Sequence, residues 1–294
     1  MDWKSKRVTA LLEQALREDK ATKDATTAIT IDPKLRASGT IVAKQDCILA
    51  GLGCIPRFLE IFSEYDTQPS GRFEVISHPE IFDGVRLRTG QAIAVIRHNA
   101  RVLLACERVI LNLLQHMSGV ATLTRRYVDE IRGTGVKVLD TRKTVPGMRV
   151  LDKYAVRCGG GENHRLDLSE GILIKGNHIT LGGGLPKVLA QAIAHRDAGR
   201  TIQVEIRTIE ELNQALEGGA ESLVLDNMNP ADIKKAIAIV QERSPRIPIE
   251  ASGGINLENI QKYALAGVNY ISVGAITHSA TAVDLSMKIT AELY

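Results

Sequence analysis

The sequence has few cysteines and no long apolar run. Its four cysteines, among 294 residues, form no CxxC pair and have no zinc-ligand spacing. We therefore expect reduced thiols that pack as small apolar side chains, without a disulfide framework or a zinc site. No segment reaches the ~18 uninterrupted apolar residues that a membrane helix requires, and the N-terminal segment lacks the apolar core of a signal peptide. These absences predict a cytoplasmic protein without a membrane partner.

A strong excess of either charge is also absent. The chain has 37 Lys and Arg residues against 34 Asp and Glu residues, which gives a formal net charge of +3. This excess is too small for a dedicated nucleic-acid binder, so any basic site must be local. Hydrophobic residues make up 44% and charged residues 24%, values typical of a folded globular chain. The length fits roughly two domains or one α/β barrel.

The N-terminal part mixes helical and strand patterns. Strand-like alternation over residues 39–51 and 88–101 and a helical pattern over 55–65 predict a small α/β sandwich. A longer helical pattern follows, either continuous or broken near Ser118 and Gly119. We expect this domain to span residues 1–114.

The remainder of the chain repeats a unit of one apolar strand followed by one helical pattern. The six strand patterns are VKVLDTRKT, GILIKGNHI, TIQVEIRT, SLVLDNM, IPIEASGGI and NYISVGAIT. Their recurrence predicts an incomplete (β/α) barrel of about six to seven strands over residues 115–276, open or closed off by the N-terminal domain. A doubly wound sheet is the alternative. A C-terminal helix over residues 277–294 is expected to pack back on the N-terminal domain.

Polar residues and glycines follow these strands. Because the carboxyl ends of parallel strands meet at one edge of a sheet, we expect these residues to face one mouth. They are Thr141, Arg142, Lys143, His164, Arg165, Lys175, Glu205, Asp226, Ser252, Gly253, Gly254, Gly274 and Ala275. Two cations about 6 Å apart repel each other by roughly 3 kcal/mol at an effective dielectric constant of about 20.

The potential cations among these residues predict an anionic ligand with more than one carboxylate or phosphate group. The alternative is that the cations form structural ion pairs with Asp140, Asp152 and Glu162. Glu205 and Asp226 could hold Mg²⁺ together with substrate phosphates, act as a general acid and base, or neutralise nearby lysines. The glycines after the last two strands fit either a phosphate site or a tight turn.

Arg108 lies in an apolar helical pattern, where a buried arginine would need a partner or an interface. From the residues alone, a salt bridge with Glu107 or another local acid is favoured. His178, His195 and His278 are given no function.

Ten segments, taken together and in order, resemble the quinolinate phosphoribosyltransferase family. They are EDKATKDATT, AKQDCILAG, CERVILNLLQHMSGVAT, LDTRKTVPGMR, KYAVRCGGGENHR, LIKGNH, VEI, LDNM, EASGGI and SVGAITHS. The resemblance runs from about residue 10 to the C-terminus. Two positions depart from the pattern, because many relatives have an acidic residue at Gly176 and a glycine at Asn99. Gly176 is expected to loosen the position of Lys175.

The resemblance implies an enzyme that transfers a phosphoribosyl group from phosphoribosyl pyrophosphate to quinolinate with loss of CO₂, in NAD biosynthesis. It also implies Mg²⁺ as cofactor and a homodimer or larger even assembly, up to a hexamer. Arg108 would reach the neighbouring subunit's site, joining the quinolinate-binding residues Arg142, His164, Arg165 and Lys175. The phosphoribosyl pyrophosphate side would comprise Thr141, Lys143, Glu205, Asp226, Ser252, Gly253, Gly254, Gly274 and Ala275, with Glu205 and Asp226 contacting the metal partly through water or substrate.

Two alternatives to this activity stay open at this point. One is a relative with the same fold but another acceptor, such as nicotinate or the unknown substrate of a molybdenum-associated protein. The other is a non-catalytic barrel that senses an anionic metabolite. Two arginines and a lysine favour a ligand with two carboxylates over nicotinate, which has one.

Overall fold

The structure, a computed structural model, describes residues 1–65 and 71–292. Its contacts divide the chain into two compact units. The first comprises Met1–Leu123, Val145–Gly160 and Ser279–Tyr294, and the second comprises Thr124–Thr144 and Gly161–His278. The predicted boundary after residue 114 therefore falls inside a helix, and residues 145–160 belong to the first unit although the prediction placed them in the barrel.

Helices and strands alternate along most of the chain. The helices are α1 (Lys6–Glu18), α2 (Ala25–Thr30), α3 (Cys54–Tyr65), α4 (Ala100–Glu130), α5 (Arg149–Cys158), α6 (Gly176–Gly182), α7 (Leu185–His195), α8 (Ile209–Glu217), α9 (Pro230–Arg243), α10 (Ile260–Ala264) and α11 (Ala275–His278). The strands are β1 (Arg36–Ala43), β2 (Cys47–Ile48), β3 (Glu74–Ile76), β4 (Arg86–Leu87), β5 (Ala92–Asn99), β6 (Lys137–Leu139), β7 (Ile172–Ile174), β8 (Ile202–Ile206), β9 (Ser222–Asp226), β10 (Ile249–Ser252), β11 (Tyr270–Ser272) and β12 (Leu285–Ala291). None of the described helices is both long and apolar enough to cross a membrane.

The first unit contains an antiparallel sheet in the order β12-β1-β5-β3. Every second residue of β1 is buried, as expected for a strand with one face on a core. Leu12, Ile41, Phe58 and Leu103 are fully or almost fully buried in this unit. The predicted N-terminal α/β domain with strands in these regions is confirmed.

The predicted C-terminal helix is wrong, because this segment contains strand β12. Leu285, Met287 and Ile289 alternate with polar residues, and the strand pairs antiparallel with β1 from Ala43↔Leu285 to Ala37↔Ala291. This pairing satisfies backbone hydrogen bonds along an edge of β1 that would otherwise be open.

Helix α4 is continuous through the segment where a break was one of two predicted outcomes. A Cβ at Gly119 would lie 2.2 Å from the backbone oxygen of Thr281, so glycine allows the two backbones to approach closely. The Ser118 hydroxyl accepts a hydrogen bond from the Ala50 backbone N–H at 3.1 Å. Both residues thus serve packing within the first unit, and this outweighs their low helix propensity.

Burial raises the pKa of Cys47 and of Cys158 to about 11. Both thiols therefore stay protonated at neutral pH, which is the state expected of small apolar side chains.

The second unit is built on a parallel sheet in the order β6-β11-β10-β9-β8-β7. From β7 to β11 each strand lies beside the next in sequence, and β6 follows β11, so the order never reverses as it does in a doubly wound sheet. Leu139 also forms an isolated parallel bridge with Glu162 at the other edge of β6. This winding confirms the predicted incomplete barrel of about six to seven strands, and the sheet has six. The carboxyl ends of all six strands lie at one edge of the sheet.

Candidate active site

A pocket of about 340 Å³ opens at the carboxyl ends of the parallel strands. Such a volume is within the usual range for small-molecule sites. Its lining comes from all six strands, from residues directly after them and from the segment between α5 and β7: Thr141, Arg142, Lys143, His164, Arg165, Leu173, Lys175, Glu205, Val224, Asp226, Glu250, Ser252 and Ser272. The structure thus brings together nine of the residues that the sequence placed at a common mouth, from Thr141 to Ser252.

One side of the pocket is cationic. Burial, together with repulsion from the nearby Arg142, lowers the pKa of Arg165 below its ordinary value. The loop that carries Arg165 is held by the buried Asp140, whose carboxylate accepts the backbone N–H of the neighbouring His164 at 2.8 Å. Two neighbouring guanidinium groups favour a ligand with carboxylate or phosphate oxygens, which can accept paired hydrogen bonds from each of them.

Two of the acids considered as local partners for these cations have other partners. Glu162 pairs with Lys137 at 2.6 Å. Asp152 accepts or shares a hydrogen bond with His116 at 2.6 Å in the first unit. Their contacts do not support the alternative in which these two acids neutralise the mouth.

The other side of the pocket holds Glu205 and Asp226, which face a common cation. Arg207 Nη2 lies 2.9 Å from Glu205 Oε1, and its Nε lies 3.6 Å from Asp226 Oδ2. Lys175 Nζ is 3.5 Å from the second oxygen of Glu205. The two carboxylates therefore converge as predicted, and in this state both are neutralised by neighbouring cations.

The described residues contain no cluster of three or more His, Cys, Asp or Glu side chains that could hold a metal ion. Glu205 and Asp226 supply carboxylate oxygens toward one point, which is the donor type that Mg²⁺ prefers. Two carboxylates completed by phosphate oxygens form a common Mg²⁺ arrangement. The donor set therefore fits a magnesium ion that arrives with a phosphorylated substrate.

Sequence reasoning missed Glu250 at the base of the pocket. Its side chain is buried, Gln203 Nε2 donates to it at 2.9 Å, and His164 Nε2 lies 3.5 Å away. Burial acts to raise the pKa of Glu250, but His164, Ser272 and Gln203 outweigh it and hold the pKa below its usual value. A lone acid inside the apolar strand IPIEAS was the available signal, because strands buried on both faces rarely contain one.

Arg207 was also missed, although it follows Glu205 at the spacing that places two strand residues on the same face. The prediction considered lysines as counter-ions of the carboxylates, and the structure adds this arginine at a shorter distance than Lys175.

Four predicted glycine-rich loop positions lie next to the pocket lining. Gly253 and Gly254 have positive φ angles of 91° and 64°, and a Cβ at Gly253 would lie 2.3 Å from the Asn227 side chain. Gly274, followed by Ala275, lies against Lys143, and Thr277 Oγ1 donates to the Lys143 backbone oxygen at 2.8 Å. The backbone turn after β10 is therefore enough to explain glycine at position 253, without a phosphate ligand. Gly274, in contrast, lies beside Lys143, a lysine of the pocket lining.

Arg108 lies on α4 in the first unit. Its side chain is exposed, so the expectation of a buried arginine with a local partner is wrong. Within the described residues it forms no ion pair with Glu107.

Comparisons with known proteins cover both units. The quinolinate phosphoribosyl transferase N-terminal domain matches residues 24–118, and the C-terminal domain of the same family matches residues 120–288. The chain is 38% identical over 279 residues to the carboxylating nicotinate-nucleotide pyrophosphorylase of Mycobacterium leprae, covering 95% of each chain. It is 39% identical to a probable enzyme of the same name from Bacillus subtilis, covering 95% of this chain and 92% of that one.

Solved structures show the same relationship. The crystal structure of NadC from Streptococcus pyogenes matches with a TM-score of 0.88 and 37% identity, over 96% of each chain. The likeness therefore extends over almost the whole chain in sequence and in fold.

Proposed function

The chain belongs to the quinolinate phosphoribosyltransferase family, and we propose that the pocket in its second unit is where its reaction takes place. The enzyme transfers the phosphoribosyl group of phosphoribosyl pyrophosphate to quinolinate with decarboxylation, and the products are nicotinate mononucleotide, CO₂ and pyrophosphate. This is a step of NAD biosynthesis.

The observation that carries the proposed site is the division of the pocket into a cationic side and a carboxylate side. Quinolinate is a planar dianion with adjacent carboxylates, and Arg142 and Arg165 supply the planar donors that suit such groups. His164 and Lys175, which line the same pocket, complete the proposed quinolinate site.

Phosphoribosyl pyrophosphate is proposed to lie against the opposite side. Glu205 and Asp226 would hold Mg²⁺, which when bound neutralises charge on the leaving pyrophosphate. The other proposed contacts, which line the pocket or lie beside it, are Thr141, Lys143, Ser252, Gly253, Gly254, Gly274 and Ala275. Because both substrates are anions, lysine and arginine side chains between them offset their repulsion.

The chemistry requires positioning and charge control, and no covalent enzyme intermediate. The ring nitrogen of quinolinate donates its electron pair to C1 of the ribose as the bond to pyrophosphate breaks. The 2-carboxylate then leaves as CO₂, its bonding electrons are accepted by the pyridinium ring, and a proton adds at the vacated carbon. The residues around the ring hold the dianion in line with the ribose, where most of the rate gain is expected to arise.

The assembly is proposed to be a homodimer, alone or within a larger even assembly such as a hexamer. The exposed Arg108 is the residue proposed to enter the neighbouring subunit's pocket and contact quinolinate there. Cytoplasmic location stays a prediction.

The activity is tested with purified protein, Mg²⁺, phosphoribosyl pyrophosphate and quinolinate, by following CO₂ and nicotinate mononucleotide together. Equal amounts of both products are expected with quinolinate, and none with nicotinate as the parallel acceptor. A nucleotide formed from nicotinate without CO₂ would overturn the assignment of the acceptor.

Sharing of sites is tested by mixing two inactive variants. Arg108→Ala and Lys175→Ala would each remove a different contribution to the pocket. If sites are shared and subunits mix randomly, half of the dimers in an equal mixture have one intact site of two, so the mixture should regain up to about one quarter of the parent activity. Mixing each variant with itself is the control. No recovery, despite subunit exchange shown by labelled protein, would contradict the proposed role of Arg108.

A further inference from the structure

The guanidinium of Arg207 lies so close to Gly176 that a side chain at position 176 would displace it. A Cβ at Gly176 would lie 2.8 Å from Arg207 Nη1 and 3.0 Å from both its Cζ and Nη2. The Gly176 backbone N–H also points at Glu205 Oε1, at 3.4 Å. The guanidinium therefore packs flat against the start of α6 and reaches both carboxylates from there.

The backbone of Arg207 is fixed independently of its side chain. Its N–H donates to Glu211 Oε2 at 2.7 Å, and Thr208 caps α8 by accepting the Glu211 N–H at 3.1 Å. The side chain itself is 54% exposed, whereas that of Glu205 is 9% exposed. A fixed backbone with a solvent-accessible guanidinium allows that group to change partner without disturbing the sheet.

The local charges are balanced before any ligand binds. Glu205 and Asp226 carry two negative charges, and Arg207 and Lys175 carry two positive charges within 3.6 Å of them. A divalent cation that takes the two carboxylates must compete with Arg207 for the same oxygens. The displaced guanidinium then lies beside any diphosphate that accompanies the cation, and its planar donors suit phosphate oxygens.

We propose that Arg207 is an exchangeable counter-ion: it holds Glu205 and Asp226 in the free enzyme and moves to the diphosphate of phosphoribosyl pyrophosphate when Mg²⁺ binds these carboxylates. The proposal rests on the proposed function of the pocket. It makes Arg207 a positioning residue for the carboxylates in one state and a substrate-binding residue in the other. Gly176 is the residue that gives the guanidinium room.

The test measures binding by calorimetry in the absence of turnover. Arg207→Gln should bind Mg²⁺ alone about fivefold more tightly than the parent, because a partly exposed competing ion pair is lost. The same variant should bind phosphoribosyl pyrophosphate with Mg²⁺ about tenfold more weakly, because a charged hydrogen-bond donor to phosphate is lost. Quinolinate binding alone should change by less than about threefold, because Arg142, His164 and Arg165 are unaltered. Of the proposed quinolinate ligands, Lys175 is the one that shares a partner, Glu205, with Arg207.

Two further variants separate this role from a general effect of charge. Gly176→Ala keeps the arginine but displaces its guanidinium from the carboxylates, so it should reproduce the tighter binding of Mg²⁺ alone. Its binding of phosphoribosyl pyrophosphate with Mg²⁺ should not weaken, because the guanidinium is still available to the diphosphate. Arg243→Gln removes an arginine that pairs with Glu217 and Asn213 outside the pocket, and both affinities should match the parent.

Weaker or unchanged Mg²⁺ binding by Arg207→Gln would overturn the proposal, as would unchanged binding of phosphoribosyl pyrophosphate. The proposed function fails by a different result: the parent protein would form no nicotinate mononucleotide from quinolinate. A parent that is active and matches Arg207→Gln in both affinities refutes only the exchange.

Discussion

The two sides of the pocket differ in how their charges are paired before anionic substrates bind. On the cationic side, burial and then repulsion from the nearby Arg142 lower the pKa of Arg165, and a bound dianion would offset that repulsion. On the opposite side, Glu205 and Asp226 already have Arg207 as a counter-ion, so binding there requires an exchange of partners. The cationic side is preorganised for its ligand. On the carboxylate side the charges are already neutralised by ion pairs, and these must be exchanged when metal and diphosphate bind.

Removal of metal should affect the carboxylate side far more than the cationic side. With a chelator present, formation of nicotinate mononucleotide is expected to stop, because the charge on the leaving pyrophosphate is then not offset. Quinolinate binding, measured by calorimetry, should remain within about twofold, since it depends on the cationic side. Addition of excess Mg²⁺ should restore activity. Full activity in the chelator would refute the proposed metal requirement.

Arg142→Ala tests the cationic side directly. Loss of a charged hydrogen-bonding partner of about 2 to 3 kcal/mol should raise KM for quinolinate by roughly 30- to 150-fold. KM for phosphoribosyl pyrophosphate should rise by less than about threefold, because that substrate is proposed to bind the opposite side. Steady-state kinetics with each substrate varied gives both values. Arg142→Lys, which keeps the charge and loses the planar fork, should lie between parent and Ala variant. Equal increases in the two constants would contradict the division.

The positions of the strand-end residues could be predicted because parallel strands have a simple sequence pattern. Short apolar runs locate the strands, and the residues after them, such as Arg142 and Lys175, must meet at one edge. The ion pairs that these side chains form depend on side-chain conformation and on neighbours from other strands. That is why Glu205 could be assigned to the pocket while its contact with Arg207 could not.

Strand β12 shows the corresponding limit for the fold. Its pattern is short, and its partner β1 lies at the other end of the chain, so local sequence does not reveal the pairing. Helix α4 shows the opposite case, because Ser118 and Gly119 look like a helix break until their contacts with Ala50 and Thr281 are known. In each case a non-local contact outweighs the local propensity.

Glu250→Gln tests the support of the cationic side, because the buried Glu250 carboxylate contacts His164. The variant should lower the free energy of unfolding by about 1.5 to 3 kcal/mol at neutral pH, the range for a hydrogen-bonded charged group. Since the pKa of Glu250 is lowered in the fold, its stabilising effect is present above the pKa of an unfolded glutamate and is lost as pH falls through the lowered value.

The difference in stability between parent and Glu250→Gln should therefore shrink as pH falls below the pKa of an unfolded glutamate, about 4.3. Denaturant unfolding measured from neutral pH down to about pH 2.5 covers this range. Glu242→Gln, at an exposed position on α9, is the matched control and should change stability by less than about 0.5 kcal/mol. A difference that grows on acidification would contradict the lowered pKa of Glu250.

The smallest expected effect is that of Arg207→Gln on stability. Its guanidinium contacts two carboxylates, but a side chain that is 54% exposed contributes little through ion pairs, so the free energy of unfolding should fall by less than about 1 kcal/mol. Glu205 keeps Lys175 and the Gly176 N–H as partners in this variant. Denaturant unfolding without ligands measures the change. A loss above about 2 kcal/mol would make the ion pair structural, and a guanidinium needed for folding could not exchange its partners at each turnover.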